Sequence, residues 1–284
     1  MDVSVRLTKH HALGNDFLVA LNPEVELGSQ HAVAWCDRRR GIGADGLLIG
    51  TGDVNLGTFA YKPNVETVLP PPFTMVLYNA DGSRAEMSGN GIRCLAQAFH
   101  RTSRISHLPG SVYRIGTDAG VREVAVDPTE DPTLIMAKVS MGAVADIAPP
   151  ARWHEMGCDP LRPVAHLSLG NPHSIIAVDD VFAVDLVEAG SIVPEVNLEI
   201  VQPGPEPHAV TMRVHERGAG ITEACGTGAS AVATAAVRWG LVDSGVVDVL
   251  VHMDGGDAWV RVGEEVVLTG SAAYIGSIEV PWKP

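Results

Sequence analysis

The stretch Thr222-Glu223-Ala224-Cys225-Gly226-Thr227-Gly228-Ala229-Ser230-Ala231-Val232-Ala233-Thr234-Ala235-Ala236-Val237-Arg238-Trp239-Gly240 decides the reading of the chain. Alanine is the best helix former, so the run from about Ala229 to Trp239 predicts a helix. Gly240 suits its end. The run has no charge before Arg238, which predicts burial on most sides. Cys225 then stands at the N-terminus of a buried helix, where free backbone N–H groups and the helix dipole favour negative charge. A thiol there is expected to have a lowered pKa and to serve as base or nucleophile. Gly226 and Gly228 let the backbone approach an anionic ligand. Taken alone, the same residues read equally well as a small buried cysteine before a tight turn.

A second copy changes that balance. Residues 78–97 read Y-N-A-D-G-S-R-A-E-M-S-G-N-G-I-R-C-L-A-Q, and residues 215–234 read H-E-R-G-A-G-I-T-E-A-C-G-T-G-A-S-A-V-A-T. With Ser88 set on Cys225, Gly-Asn-Gly falls on Gly-Thr-Gly, Glu86 on Glu223 and Asn79 on Glu216. An upstream echo precedes each copy, Leu13-Gly14-Asn15 and Leu169-Gly170-Asn171. Two motifs in the same order, about half the chain apart, point to a duplicated domain. The period is far too long for a solenoid. Two like domains facing each other would bring two helix N-termini to one cleft. That geometry suits a carboxylate held by backbone N–H groups, with a proton-transfer group on each face of the adjacent carbon.

These segments carry a resemblance to the diaminopimelate epimerase family over nearly the whole length. They are H-A-L-G-N-D-F (11–17), R-R-G-I-G-A-D-G (39–46), Y-N-A-D-G-S (78–83) and M-S-G-N-G-I-R-C (87–94). L-G-N-P-H (169–173), V-N-L-E-I-V (196–201) and V-H-E-R-G-A-G-I-T-E-A-C-G-T-G-A (214–229) continue the order. The resemblance implies an α+β fold of two pseudo-symmetric domains. Each would be a curved mixed or antiparallel sheet wrapped around a central helix, with the active site in the cleft between them. The domains are expected at 1–130 plus 272–284 and at 131–271.

The composition bounds the function classes. A chain of 284 residues with 46% hydrophobic residues can bury a substantial core. A net charge of −14 argues against nucleic acid or an anionic membrane as partner and suits an enzyme of small molecules. The four cysteines, at 36, 94, 158 and 225, are irregularly spaced without C-x-x-C, so no metal site or disulfide framework is expected. No apolar run reaches membrane-spanning length, and no signal peptide is read at the N-terminus. The cytoplasm is the expected location.

Along the chain, Val3–Leu7 alternates as a strand, Gly14-Asn15-Asp16 reads as a turn and Phe17–Leu21 as a strand. Ser29 is expected to cap a helix from about Gln30 to Arg39, with Arg38, Arg39 and Arg40 as its solvated end. Gly41–Gly46 is a glycine-rich turn without nucleotide-binding spacing. Some relatives contact substrate through a glutamine at the position of Gly46, and a glycine side cannot make that contact. Residues 51–72, with Pro63 and Pro70-Pro71-Pro72, read as a surface excursion. A helix is expected from about Gly91 to Arg101, with Cys94 structural inside it. Asp127–Pro132 is the candidate domain crossing. In the second half, Gly170–His173 reads as a turn, Asp179-Asp180 as the cap of a helix to about Ala189, and Val266–Thr269 and Tyr274–Val280 as separate strands. Asn197 interrupts a strand pattern that disfavours asparagine, which hints at a polar task.

The resemblance assigns roles. Cys225 is one proton-transfer residue, His173 assists proton transfer, and Glu216 and Arg217 meet a substrate carrying both charges. Asn15, Asn79, Asn171 and Asn197 are expected to grip substrate, and Gly89, Asn90, Gly226 and Thr227 to offer backbone N–H groups to the α-carboxylate. The family uses a second cysteine where this chain has Ser88, and Cys94 is nearly two helical turns further on. A hydroxyl is a far weaker acid than a thiol and its alkoxide is costly without an adjacent base, so both reaction directions should slow. His173 or another group activating Ser88, a Ser/Cys pair acting on another amino acid, and a serine that arrests the enzyme all remain open. So does a Ser88 that merely caps its helix. The implied activity is cofactor-independent conversion of L,L-2,6-diaminopimelate to the meso form. The rivals are a racemase of another amino acid and a binding protein descended from an epimerase. No pyridoxal phosphate or metal is implied. The family is dimeric, although a tyrosine of its C-terminal strand is shifted or absent near Gly276.

Overall fold

The computed structural model describes residues 4–53, 73–103, 110–243, 245–246 and 248–282. The expected surface excursion lies for the most part in 54–72, outside the described residues. The architecture is α+β, with strands dominant and few helices. The chain forms two compact units, one of Met1–Ala12, Asp16–Val139 and Gly270–Pro284, the other of Leu13–Asn15 and Ser140–Thr269.

The first unit holds β1 (Ser4–Ala12), β2 (Asn15–Leu21), β3 (Gly46–Thr51), β4 (Phe73–Asn79), β5 (Arg84–Ala85), β6 (Ser111–Thr117), β7 (Gly120–Pro128) and most of β8 (Leu134–Gly142). Its sheet is mixed: β2 runs parallel to β3 and β4 to β6, while β3–β4, β6–β7 and β7–β8 are antiparallel. Helix α1 spans Ser29–Cys36 and α2 spans Gly89–Thr102. Every residue of α2 from Gly89 to His100 is buried, and the helix packs on β1, β3, β4 and β7. Burial on all sides is tolerated because most of its polar groups find partners. Gln97 bridges the His10 ring at 2.8 Å and the Thr133 carbonyl at 2.6 Å, and His100 meets the Tyr113 hydroxyl at 3.0 Å. Phe99 packs at a tilt on Phe73 with ring centroids 4.4 Å apart, each such buried side chain contributing about 1.5–3 kcal/mol.

The second unit holds β9 (Ala145–Asp146), β10 (Val164–Ser168), β11 (Pro172–Ala177), β12 (Asn197–Pro203), β13 (Ala209–Glu216), β14 (Gly220–Thr222), β15 (Val249–Met253), β16 (Gly256–Arg261) and the start of β17 (Val266–Pro281). Strand β11 runs parallel to β12, which is antiparallel to β13. Helix α3 spans Leu186–Ile192, and α4 spans Gly226–Trp239. Residues Gly226 to Ala236 of α4 are all buried against β10–β13, β15 and β16. The small alanine and serine side chains allow that close approach. Gly240 ends α4 in the left-handed conformation at φ 71°, as the sequence predicts.

Several local expectations are corrected. Helix α1 stops at Cys36 and is capped by Gly28, not Ser29. Asp37 leaves the helical region because its carboxylate accepts the backbone N–H groups of Arg39 and Arg40. Arg38 is no dangling helix end: it donates to Asp16 and Asp45, each at 2.7 Å. Asn15 already opens β2, and Pro172 and His173 open β11 rather than a turn. Helix α3 starts after Asp185, whose side chain accepts from the Glu188 N–H at 3.0 Å. Asp180 instead accepts the Phe182 N–H, and Asp179 pairs with Arg162. The two strands expected near the C-terminus are one, β17, whose second half pairs antiparallel with β1 from Ser4 opposite Pro281 to His11 opposite Ala273.

Candidate active site

Each unit carries a buried helix that begins in the same way. In the first, Ser88 is the N-cap of α2, with φ −139° and ψ 123°, and its Oγ accepts the Gly91 N–H at 3.0 Å. In the second, Cys225 is the N-cap of α4, with φ −130° and ψ 111°, and its Sγ accepts the Gly228 N–H at 3.4 Å. A side-chain acceptor on the third N–H of the helix is the capping geometry expected of serine. The cysteine copies it with a weaker acceptor.

Around Ser88, Gly89 and Asn90 are buried and Arg93 is fully enclosed. The Arg93 guanidinium donates to the Gly89 carbonyl at 3.2 Å and to Asn90 Oδ1 at 2.5 Å, so the Asn90 side chain is spent on holding the first turn. Asn79, at the end of β4, donates to the Ser83 hydroxyl at 2.9 Å. Cys94 lies within α2, and burial pushes its thiol up to about 12, which fits a structural role.

Around Cys225 the side chains form a connected set. Parallel pairing of β11 and β12 sets His173 opposite Asn197. Residues two apart on a strand share a face, so Glu199 lies on that face too. His173 Nδ1 is 2.6 Å from Glu199 Oε1, and Nε2 is 3.1 Å from Asn171 Oδ1. Asn171 Nδ2 donates to the Thr227 hydroxyl at 3.2 Å, and that hydroxyl is 3.4 Å from Cys225 Sγ. Both amide groups of Asn197 are used by backbone: it donates to the Pro172 carbonyl at 3.1 Å and accepts the Arg217 N–H at 2.9 Å. Its polar task is therefore to fix the β13 turn that carries Arg217, an exposed side chain. Glu216 accepts the Thr222 hydroxyl at 2.5 Å. Asn15 belongs to this unit, on a turn packed against Glu223 and Gly255.

The expected lowering of the Cys225 pKa is overturned. Burial raises it well above the ordinary thiol value, and the charges of Glu216 and Glu199 raise it further. The hydrogen bonds from Thr227 and Gly228 pull the other way and are outweighed. A helix N-terminus offers a partial charge that cannot offset the loss of solvent and two nearby carboxylates.

The model of the diaminopimelate epimerase family matches residues 7–146 and 166–275. The chain belongs to that family. It is 36% identical to the diaminopimelate epimerase of Synechococcus elongatus, covering 98% of this chain and 99% of that one. It is 34% identical to that of Sphingopyxis alaskensis, covering 98% and 97%. Among solved structures it resembles a predicted epimerase of Pseudomonas aeruginosa, with TM-score 0.71 and 15% identity over 98% of this chain and 100% of that one. It also resembles a hydroxyproline epimerase of Agrobacterium vitis, with TM-score 0.63 and 16% identity over 99% and 94%. At those identities the likeness is one of fold.

Within the diaminopimelate epimerase family match, the residue that the sequence reading passed over is Glu199. It lies in the quoted segment V-N-L-E-I-V, and its signal was a carboxylate flanked directly by the apolar Leu198 and Ile200. A period-two reading assigns such a residue to the face of its neighbours at two-residue spacing, and here that face is enclosed.

Proposed function

We propose that the protein interconverts L,L-2,6-diaminopimelate and its meso form by proton transfer at one α-carbon, without pyridoxal phosphate. The observation that carries the reading is the paired helix start, with Cys225 and Ser88 as equivalent N-caps in a chain that matches curated diaminopimelate epimerases from end to end. The two halves are read as pseudo-symmetric domains at 1–130 plus 272–284 and 131–271, contributing one proton-transfer group each.

The chemistry follows from the local geometry. The hydrogen on a carbon beside a carboxylate is weakly acidic, and its removal spreads charge onto that carboxylate. N–H groups of Gly89, Asn90, Gly226 and Thr227, at the first turns of two buried helices, would bind the growing charge as preorganised dipoles. Cys225 would exchange a proton on one face of the carbon and Ser88 on the other. Asn15, Asn79, Asn171, Glu216 and Arg217 would hold the distal amino-acid end, with Asn197 fixing the Arg217 backbone. His173 would assist Cys225 through Asn171 and Thr227. A homodimer in the cytoplasm, in the pathway to lysine and cell-wall precursors, completes the reading.

The test is NMR of L,L- and meso-diaminopimelate with the protein in D₂O, following loss of the α-proton together with the stereoisomer ratio. Deuterium gain with interconversion is the expected outcome. A general acid–base group contributes roughly 10²–10⁴-fold, so Cys225→Ala should remove most of the rate. Ser88→Cys should raise it in both directions, since a donor that is slow one way is a slow acceptor the other way. Neither exchange nor inversion by protein with reduced Cys225, before and after Ser88→Cys, would sink the assignment.

A further inference from the structure

Glu199 is a carboxylate with no exposed surface, set in the apolar middle of β12. One oxygen meets His173 at 2.6 Å, and the other has no hydrogen-bond partner among the described residues. Its position relative to Cys225 is fixed by Gly228. A Cβ on that glycine would stand 2.7 Å from Glu199 Oε1 and 3.3 Å from Cys225 Sγ. The bare Gly228 Cα thus leaves one small space that borders both the carboxylate and the sulfur, and a side chain there would press on both.

The hydrogen bonds give the pair a direction. Asn171 donates its amide hydrogen to Thr227, so its Oδ1 is the acceptor facing His173, and His173 Nε2 must carry a hydrogen. Nδ1 then shares one proton with Glu199, as a carboxylic acid donating to the ring or as a ring N–H donating to the carboxylate. Either arrangement leaves the Thr227 hydroxyl hydrogen free to point at Sγ, beside the Gly228 N–H. Asn171 orients this chain but does not conduct protons, since an amide lacks a readily exchanged site. Two donors therefore await a thiolate, and with the shared proton on Nδ1 the carboxylate charge beside Gly228 opposes it.

We propose that Glu199 is a positioning residue that keeps Cys225 as the neutral thiol in the free protein, through its charge across Gly228 and its hold on His173. The proposal deepens the epimerase reading and rests on it for its catalytic meaning. The groups that bear on Cys225 are Glu216 from β13, Glu199 from β12 and, through Asn171 and Thr227, His173 from β11. Burial raises the pKa of Glu199 itself, while His173 opposes that rise. Glu216 is partly accessible, so an incoming substrate ammonium can neutralise it. Glu199 is sealed, so no incoming ammonium reaches it, and while His173 holds the shared proton its charge biases Cys225 towards the proton-donating form.

The experiment measures carbamidomethylation of Cys225 by iodoacetamide from pH 6 to 11 without substrate, resolved by peptide mass spectrometry. Each rate profile is normalised to its own alkaline plateau, so a change in access rescales the plateau and leaves the midpoint in place. Glu199→Gln should move the midpoint down by about one pH unit, roughly a tenfold gain in relative reactivity below it. Glu199→Asp, which keeps the charge, should restore a midpoint near that of the unaltered protein. If Glu199→Gln does not fold, Glu199→Met carries the same expectation. A midpoint unmoved in a folded, neutral variant overturns the proposal, as does an equal shift in Glu199→Asp. The D₂O exchange assay on the same samples separates the two readings. A shifted midpoint without diaminopimelate exchange removes the epimerase assignment and leaves the Glu199–Cys225 coupling standing.

Discussion

At the residue scale, the thiols of this chain are governed by burial. Cys94 shows it most simply, because it sits in the middle of α2 with its pKa pushed up to about 12 by loss of solvent, against the pull of the Arg93 guanidinium. In the unfolded chain a cysteine titrates near about 8.5. Above that value the unfolded state releases a proton that the folded state retains, so the unfolded state gains stability as pH rises. The contribution of Cys94 is thus complete below about pH 8.5 and is lost between there and about pH 12. The slope approaches about 1.4 kcal/mol per pH unit for one such group. Urea midpoints measured from pH 7 to 11 should fall more steeply for the unaltered protein than for Cys94→Ala, although the variant starts lower. Parallel curves above pH 9 would show that the thiol is not held neutral. The same physics explains why the Cys225 pKa was misjudged from sequence. The helix start is visible in C-G-T-G-A, but the two carboxylates that oppose ionisation come from β12 and β13. Nothing local in the sequence reports their distance.

At the element scale, helix starts and stops were legible where one residue settles them and illegible where several compete. Gly240 is the clear case. It follows the alanine-rich run, adopts φ 71°, and its N–H returns to the last turn at the Ala236 and Val237 carbonyls. A Cβ there would meet nothing within 4 Å, so Gly240→Ala tests backbone strain without any packing change. The left-handed conformation costs an L-residue roughly 1–2 kcal/mol. Thermal unfolding of Gly240→Ala should drop by a few degrees, while Cys225 alkylation stays unchanged. An unaltered melting point would mean that the end of α4 re-forms in another way. Helix α3 is the contrary case, because Asp179, Asp180 and Asp185 all qualify as caps. The choice fell to Asp185 since Arg162 occupies Asp179 and the Phe182 N–H occupies Asp180. Strand β17 reads as two strands in the sequence because Gly270-Ser271-Ala272-Ala273 carries weak strand propensity. The strand is carried by pairing instead, with β8 and, from Ala273 onward, with β1.

At the scale of the whole molecule, both units draw on residues distant in sequence: the resemblance led to an expectation that residues 272–284 join the first half, while nothing in the sequence announced that Leu13–Asn15 lie with the second unit. The first unit takes in Gly270–Pro284, and the second takes in Leu13–Asn15. The consequences differ. Residues 270–282 give β1 its antiparallel partner along most of its length, and the Arg101 guanidinium lies 3.7 Å over the Tyr274 ring. The Tyr274 N–H also donates to the Thr133 carbonyl at 2.8 Å, the residue that α2 holds through Gln97. A chain ending at Thr269 would leave β1 with an open edge, which invites aggregation, and would strip cover from Arg93 beside Gly270. The ladder of backbone bonds, each worth about 0.5–1.5 kcal/mol net, rivals the 5–15 kcal/mol by which a typical domain is stable. The truncated chain should therefore express as aggregate or as a species without cooperative unfolding. Adding residues 270–284 as a separate peptide should restore soluble protein if the missing strand is the cause. A truncated chain that melts cooperatively near the full-length temperature would show that β1 and α2 hold the first unit together without their C-terminal partner.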